Sequence, residues 1–194
     1  MSEASFEGVS AAKTEILTQR PELVIEIIDS QQLSFGEALL VEEAARLSQQ
    51  GAKIEEIKTK VLDLIPQIQV FAAFSNLKNL TQSDRIGTRI AAFAGSLLSI
   101  YPYFDVEEGS IVPLGAARSF KKAMTNIVEK IGDEKQLGKP TKMVVVHTND
   151  EEAAKELVTK LSKIYQGQIP IYEAGQVIGV HGGQGGVGVA VLRQ

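Results

Sequence analysis

The sequence predicts an α/β fold in two parts: a partial parallel-sheet α/β domain over residues 1–74 and a two-layer α+β domain over residues 75–194. Strand-like apolar runs alternate with helical stripes along the whole chain. The first part contains only two strand-like runs, which leaves a parallel sheet with open edges. The second part follows the order hairpin, helix, strand, helix, strand, which is typical of a sheet with helices on one face.

Within the first part, residues 22–29 are apolar on both faces, which predicts a strand buried in a parallel sheet. Apolar stripes at helical spacing predict helices over 36–49 and 54–64. Pro66 ends the second of these helices, and the alternation that starts at Ile68 predicts a strand. We therefore expect the order strand, helix, helix, strand before residue 74.

The second part begins with a polar stretch that leads into an apolar helix around residues 90–97. Gly109 lies in the turn of a predicted hairpin between the runs 100–104 and 111–114. Further helices are predicted over 119–131 and 151–165, and further strands over 143–146, 169–172 and 187–192.

Composition narrows the function classes. Of the 194 residues, 44% are hydrophobic and 23% are charged. The net charge of −4 does not favour binding to nucleic acid or to an anionic membrane surface. Without cysteine the chain has no disulfide, thiolate zinc site or cysteine nucleophile. The polar N-terminus is unlike a signal peptide, and no apolar run approaches the roughly 20 residues of a membrane span. We interpret the protein as cytoplasmic.

The C-terminal segment is the strongest candidate for a site. An apolar run, interpreted as a strand, leads to His181 and then to a glycine-rich loop containing Gly182, Gly183 and Gly185. Gly183, Gly185 and Gly188 match G-x-G-x-x-G, but no helix follows them, so the dinucleotide interpretation is rejected. His181 could bind an anion, act as an acid or base, or simply form a hydrogen bond in the core.

Three further residues are candidates for a site, and each has an alternative, purely structural role. His147 is expected to be structural, near the cap of the following helix, and two distant histidines do not predict a zinc site. Arg85 could clamp a carboxylate or phosphate, or be a solvated linker charge. Ser5 could cap a helix or lie at a carboxylate site.

A basic patch formed by Arg118, Lys121 and Lys122 lies at the start of the helix predicted over 119–131. Such a patch is either a solvated helix face or a docking surface for an acidic partner.

Taken in order, residues 27–47, 77–124, 147–157 and 175–190 resemble the DegV family of bacterial lipid-binding proteins. The resemblance implies that a long-chain fatty acid lies between two domains. It also implies a carrier, without cofactor or metal, that presents the ligand's carboxylate to a separate fatty acid kinase and is not itself an enzyme. The resemblance also implies that family members begin with a further N-terminal segment, which we expect to be missing from this sequence.

The resemblance assigns the head-group site to Ser5, Arg85 and His181, beside the loop glycines. Charge-assisted donors are what a carboxylate in an apolar tunnel needs. This chain departs from the family pattern in three places. Ser5-Phe6-Glu7 replaces the family's Ser-Gly-Thr, and Ser83-Asp84-Arg85-Ile86 replaces Gly-Gly-Arg-Ile. His181-Gly182-Gly183-Gln184-Gly185 replaces His-Thr-Gly-Pro-Gly. Candidates for the tunnel wall are Phe93, Leu97 and Leu98.

Two other functions remain open from the sequence. One is a non-catalytic interaction module that pairs its open sheet with another chain, including a second copy in a homo-oligomer. The other is a small enzyme that uses His181 as an acid or base on a phosphorylated substrate.

Overall fold

A computed structural model of the chain describes residues 3–75, 100–133 and 138–193. In these residues one mixed sheet has helices on both faces. Its six strands are β1 (Ile68–Phe74), β2 (Tyr101–Glu107), β3 (Ser110–Ala117), β4 (Pro140–Thr148), β5 (Ile171–Glu173) and β6 (Gly186–Arg193). Their spatial order is β3-β2-β1-β6-β4-β5, antiparallel throughout except for the parallel pair β4 and β5. The predicted α/β class is confirmed.

Six α-helices lie in the described residues, and a single 3₁₀ turn (Ile65–Gln67) joins the third of them to β1. The helices are α1 (Glu3–Gln19), α2 (Phe35–Gln49), α3 (Ile54–Leu64), α4 (Phe120–Ile131), α5 (Glu151–Leu161) and α6 (Gln176–Gly182). Ser119 and Asp150 cap α4 and α5 by accepting hydrogen bonds from the backbone N–H groups of Lys122 and Ala153. No helix among these residues is long and apolar enough to cross a membrane.

The α4/α5 face of the sheet is filled with large side chains. Phe71, Val145 and Val189 on this face are fully buried. They pack with the apolar stripes of the two helices, which contribute Ala123, Met124, Ile127, Ile131, Ala154, Leu157 and Leu161. The repeat of these residues at helical spacing explains why the sequence predicted both helices.

The α2/α3 face is covered over only part of its area. Leu39, Leu40, Val61 and Leu64 pack on Ile68, Val70, Val144 and Ala190. The approach of α2 is close, because a Cβ on Gly36 would lie 2.5 Å from Cγ2 of Val70. Glycine at this position therefore lets the helix backbone lie against the strand.

β1 joins the two parts of the chain. It lies in the middle of the sheet and pairs with β2 and β6, both of which follow residue 74. The sheet and α4 and α5 form the two layers expected for the second part, and α2 and α3 from the first part cover the other face. The proposed domain boundary at residue 74 stays a prediction.

The strand predicted over 22–29 is wrong. Residues 23–33 have no regular secondary structure, and no strand of the described sheet pairs with them. An apolar, β-rich sequence becomes a strand only where a neighbour supplies hydrogen bonds, and here none of the described strands does so. The parallel sheet expected for the first part is therefore absent from the described residues.

The hairpin prediction is confirmed. Glu108 and Gly109 connect β2 to β3, with φ angles of 50° and 76°. Two consecutive positive φ values are the signature of the tight turn whose twist matches the flanking strands. Glycine at the second position makes this turn accessible to the chain.

A buried polar cluster lies at the end of the α4/α5 face. The Arg193 guanidinium donates to Oε1 of Gln69 (2.6 Å) and to the backbone carbonyls of Gly138 (2.7 Å) and Ile131 (3.0 Å). It thereby caps the C-terminal end of α4. Burial raises the pKa of the nearby Asp105 carboxyl to about 6, although its hydrogen bond from the Val106 N–H opposes the shift.

Candidate fatty-acid site

The glycine-rich loop lies at the edge of the sheet where β1 and β4 end and β6 begins. The Ser75 N–H donates to the Gly185 carbonyl (2.9 Å), and the Gly185 N–H donates to the Thr148 carbonyl (2.8 Å). The Gly186 N–H donates to Oγ1 of Thr148 (2.7 Å). The loop is thus fixed by both neighbouring strands, and these amides are already used within the protein. They do not form a phosphate cradle.

Close packing explains most of the glycines. A Cβ on Gly182 would lie 2.6 Å from the Phe74 ring, and one on Gly186 would lie 2.5 Å from it. Gly183 and Gly185 have φ angles of 74° and 84°, in the left-handed region. The sequence correctly predicted a conformational need for glycine here, and contact of Gly182, Gly183 and Gly185 with a ligand stays a prediction.

His181 lies in the last turn of α6, where its side chain is half-buried. The prediction that a strand precedes it is wrong, because residues 176–182 are helical. Val177 and Val180 on this helix are each 71% exposed, so the apolar run that suggested a strand is not buried inside the sheet.

His147 is buried at the end of β4, where its Nδ1 accepts a hydrogen bond from the Asp150 N–H (3.2 Å). A neutral ring that accepts at Nδ1 carries its proton on Nε2. The ring therefore supports the start of α5, in agreement with the structural role that its position predicted. No cluster of metal-ligating side chains occurs in the described part of the chain.

Of the other two predicted head-group residues, Ser5 lies within the described part of the chain and Arg85 does not. Ser5 is an exposed residue inside the first turns of α1, which begins at Glu3, so its alternative role as a helix N-cap is wrong. Arg85 and the predicted wall residues Phe93, Leu97 and Leu98 lie outside the described residues. The clustering of Ser5, Arg85 and His181 around one carboxylate stays a prediction.

The α2/α3 face carries a shallow apolar trough that the sequence analysis missed. Strand register places five side chains in one row across the sheet: Phe104, Ala72, Gly188, Val146 and Tyr172. Residues directly opposite one another across a pair of strands project from the same face. The row has the smallest side chains at its centre and larger ones toward its ends, so we name it the trough.

The trough lies between two covered rows. On one side Val70, Ala190 and Val144 pack under α2 and α3. On the other side Phe74 and Thr148 pack against the glycine loop, as described above. Ala72 and Val146 are only half-buried, whereas Gly188 and Phe104 are buried.

Aromatic rings define both ends of the trough. Phe104 packs against Phe74 with ring centroids 6.3 Å apart, and Tyr172 stacks on Phe35 of α2 at 5.2 Å. Five strands spaced at about 4.8 Å make the row about 19 Å long. A long alkyl chain could lie along such a floor. Gly188 within a strand was the available signal, since glycine there often marks a close approach to the sheet.

The predicted docking patch is exposed on the opposite face of the molecule. Lys121 pairs with Glu156 of α5 (3.4 Å), Lys122 pairs with Glu129 (3.4 Å), and Arg118 is exposed just before the cap of α4. Beside these residues, an open groove of about 610 Å³ between α4 and α5 has Phe120 and Met124 in its lining.

The family comparison agrees with the fold. The family model described as "Uncharacterised protein, DegV family" matches residues 4–194. The chain belongs to the DegV family. A DegV domain-containing protein from Clostridium perfringens is 32% identical over 182 residues, which cover 94% of this chain and 64% of that relative. The chain thus spans a little under two thirds of the length of this DegV relative.

Two solved structures extend the comparison. The fatty acid binding DegV family protein from Streptococcus agalactiae has a TM-score of 0.79 at 26% identity, covering 93% of this chain and 64% of its own. The Streptococcus pneumoniae Fatty Acid Kinase (Fak) B3 protein, loaded with linoleic acid, has a TM-score of 0.85 at 22% identity. It covers 98% of this chain and 67% of its own, and at that identity the likeness shows the fold alone.

Proposed function

We propose that this protein is a non-enzymatic carrier that binds a long-chain fatty acid and presents the carboxylate to a partner kinase in the cytoplasm. The observation that carries the proposal is the trough with its floor at Ala72 and Gly188. The fatty acids bound by structural relatives support the ligand class, and the kinase component among them supports the partner.

The acyl chain would lie along the trough, where burial of each methylene group contributes about 0.8 kcal/mol. The trough runs parallel to the row of Phe74, Gly186 and Thr148, which borders the glycine loop, and His181 ends the helix that precedes this loop. In this proposal the head group would emerge toward that loop. Arg85 and His181 would hold the carboxylate and Ser5 would donate a hydrogen bond, with Phe93, Leu97 and Leu98 as further wall residues. A charged head group at an apolar site requires donors of this kind.

Filling the trough tests the proposal most directly. Ala72→Leu adds bulk to the floor and should weaken uptake of oleate or palmitate at least about tenfold, measured by native mass spectrometry of the purified protein. Ala116→Leu makes the same change at an exposed position of the edge strand β3 and should bind like the parent chain. Failure of the parent chain to take up either fatty acid, or equal uptake by both variants, would overturn the proposal.

The head-group assignment has its own test. Oleate and methyl oleate share the alkyl chain, so His181→Ala should reduce the preference for the free acid and leave methyl oleate binding unchanged. His181→Gln, which keeps a hydrogen-bond donor, should retain part of the preference. If His181→Ala weakens both ligands equally, His181 acts on the fold and not on the carboxylate.

Presentation to a kinase is tested with charge reversal. Lys121→Glu with Lys122→Glu should slow acyl-phosphate formation by a bacterial fatty acid kinase without changing fatty-acid affinity. Lys60→Glu with Lys163→Glu changes charge equally at exposed sites away from the patch. Equal rates for the two double variants would remove the patch from the docking surface.

A further inference from the structure

Two aromatic rings from distant parts of the chain meet at the β5 end of the trough. Phe35 begins α2 and Tyr172 lies on the edge strand β5, and their rings stack with centroids 5.2 Å apart and planes 17° apart. Tyr172 projects from the trough face, because it lies opposite Val146 in the register of β4 and β5. The two rings therefore lie across this end of the trough, and we name the pair the stop.

The Phe35 side of the stop is held in place by its neighbours. A Cβ on Gly36 would lie 2.5 Å from Cγ2 of Val70, so the start of α2 lies directly on the sheet. Just before the helix, Nε2 of Gln32 donates to the Ile65 carbonyl (3.4 Å). Phe35 itself is half-buried and packs on the cluster under α2 and α3. A ring packed in this way keeps its position when a ligand presses against it.

The Tyr172 side of the stop is open to solvent. Tyr172 is 51% exposed and lies on a strand of only three residues at the edge of the sheet. Its ring thus adds bulk at the end of the trough without being part of the filled core. A smaller side chain at this position should lengthen the trough and leave the fold intact, since exposed positions tolerate substitution.

The opposite end of the trough lies beside the glycine loop. The Phe104 ring packs against Phe74, with centroids 6.3 Å apart. A Cβ on Gly182 would lie 2.6 Å from the same Phe74 ring, and His181 directly precedes Gly182. With the carboxylate at His181, as proposed above, the acyl chain enters the trough at the Phe104 end. Its methyl end then points toward the stop.

The length of the trough determines how many carbons fit before the stop. C–C bonds of about 1.5 Å at tetrahedral angles make an extended alkyl chain rise about 1.3 Å per carbon. A row of about 19 Å therefore holds roughly 15 carbons. Each methylene group buried in the trough strengthens binding about fourfold, whereas a carbon beyond the stop gains no such burial.

We propose that Phe35 and Tyr172 stop the methyl end of the acyl chain and so set the longest fatty acid that binds with full affinity, close to the length of palmitate. The inference rests on the proposed function, because it needs an acyl chain in the trough. It adds a specificity-determining pair to which both parts of the chain contribute, α2 before residue 74 and β5 after it. Each ring is positioned by stacking on the other, so both are needed to close this end.

A chain-length series tests the proposal on the full chain. Native mass spectrometry of the protein with equimolar myristate, palmitate, stearate and arachidate gives the relative occupancy of each acid. For the parent chain, occupancy should rise up to palmitate and then level off. Tyr172→Ala should raise the arachidate-to-palmitate ratio at least about tenfold, because two or more further methylene groups become buried at about fourfold each.

Matched variants separate the effect of the ring from that of the strand. Tyr172→Phe keeps the ring and should keep the parent ratio. Glu173→Ala shortens the next side chain of β5, which is exposed on the opposite face, and should also keep it. Tyr172→Val retains a residue suited to a strand and should give a smaller rise, so the test stands even where the alanine variant fails to fold.

The second ring of the stop has its own variant. Phe35→Ala should raise the arachidate-to-palmitate ratio in the same direction as Tyr172→Ala. The double variant should raise it by less than the product of the two single effects, because the rings act as a pair. Full multiplication of the two effects would mean that the rings limit the chain independently and would overturn the pair.

The outcomes distinguish the stop from the carrier function. If the parent chain takes up none of these acids, the proposed function fails and the stop fails with it. If the parent chain binds them and Tyr172→Ala keeps the parent ratio, the stop alone is overturned. A loss in Tyr172→Ala of the preference for oleate over methyl oleate, with no change in the length ratio, would place the carboxylate at β5 and also overturn the stop.

Discussion

The two faces of the sheet differ sharply at adjacent residues of the same strands. On the α4/α5 face, Phe71 and Val189 are fully buried in a filled core. One residue along each strand, on the other face, Ala72 and Gly188 form the floor of the trough. Because successive side chains of a strand point to opposite faces, one strand can build a rigid core and a binding surface at once. The comparison predicts different responses to mutation on the two faces.

The largest expected effect is on the filled face. Phe71→Ala should lower the free energy of unfolding by about 3–5 kcal/mol, because it removes a fully buried ring and leaves a cavity among helices α4 and α5. Urea unfolding followed by circular dichroism measures the change. A cost below about 1 kcal/mol would mean that this face is not the close-packed one.

The second-largest expected loss of stability is that caused by replacing Arg193. Arg193→Met keeps much of the side-chain length but leaves the carbonyls of Ile131 and Gly138 and the amide oxygen of Gln69 without their donor. Buried acceptors without partners cost about 1–3 kcal/mol each, partly offset by the removal of a buried charge, so we expect a loss of about 2–4 kcal/mol. If Arg193→Met is as stable as the parent chain in thermal unfolding, the three bonds do not secure the end of α4.

Asp105 gives a pH-dependent prediction on the same face. Its folded-state pKa of about 6 exceeds the ordinary value of 3.8, so the folded state holds the proton more tightly and loses stability as pH rises from about 4 to 6. Asp105→Asn should therefore gain about 2 kcal/mol relative to the parent chain between pH 4 and pH 7. Urea unfolding at the two pH values measures this gain, and an equal difference at both would contradict the raised pKa.

The smallest expected effect is on the trough. Ala72→Leu should change the free energy of unfolding by less than about 1 kcal/mol, because the added atoms enter half-open space and not a filled core. Ala73→Leu, the same change one residue along on the filled face, should cost about 1–3 kcal/mol by overpacking. Equal costs at the two positions would show that the trough is as closely packed as the core.

Sequence reasoning was most successful where local signals agree. The stripes of α4 and α5, the caps at Ser119 and Asp150 and the turn at Glu108 and Gly109 are set by residues close together in the chain. The same reasoning failed for residues 22–29 and 177–180, where apolar runs suggested strands. An apolar run without periodicity fits a strand or a helix equally, and only its neighbours decide between them.

The candidate site also has one feature that the sequence predicted and one that it did not. The need for glycine at 183 and 185 was evident in the sequence, and the structure supplies the reason in the left-handed φ angles. The trough was not evident, because Phe104, Ala72, Gly188, Val146 and Tyr172 come from five strands spread over more than a hundred residues. Their alignment depends on register, which the sequence of a single strand does not specify.

The sequence by itself determined helices α2 to α5, the hairpin, the mixed α/β class and the family. The tertiary structure decided that β1 lies at the centre of the sheet, that one face is filled while part of the other forms a trough, and that residues 24–28 pair with none of the described strands. The physical reason is the range of the interactions. Helix periodicity, caps and tight turns depend on residues within a few positions of one another, whereas strand pairing and packing depend on residues that only the folded chain brings together.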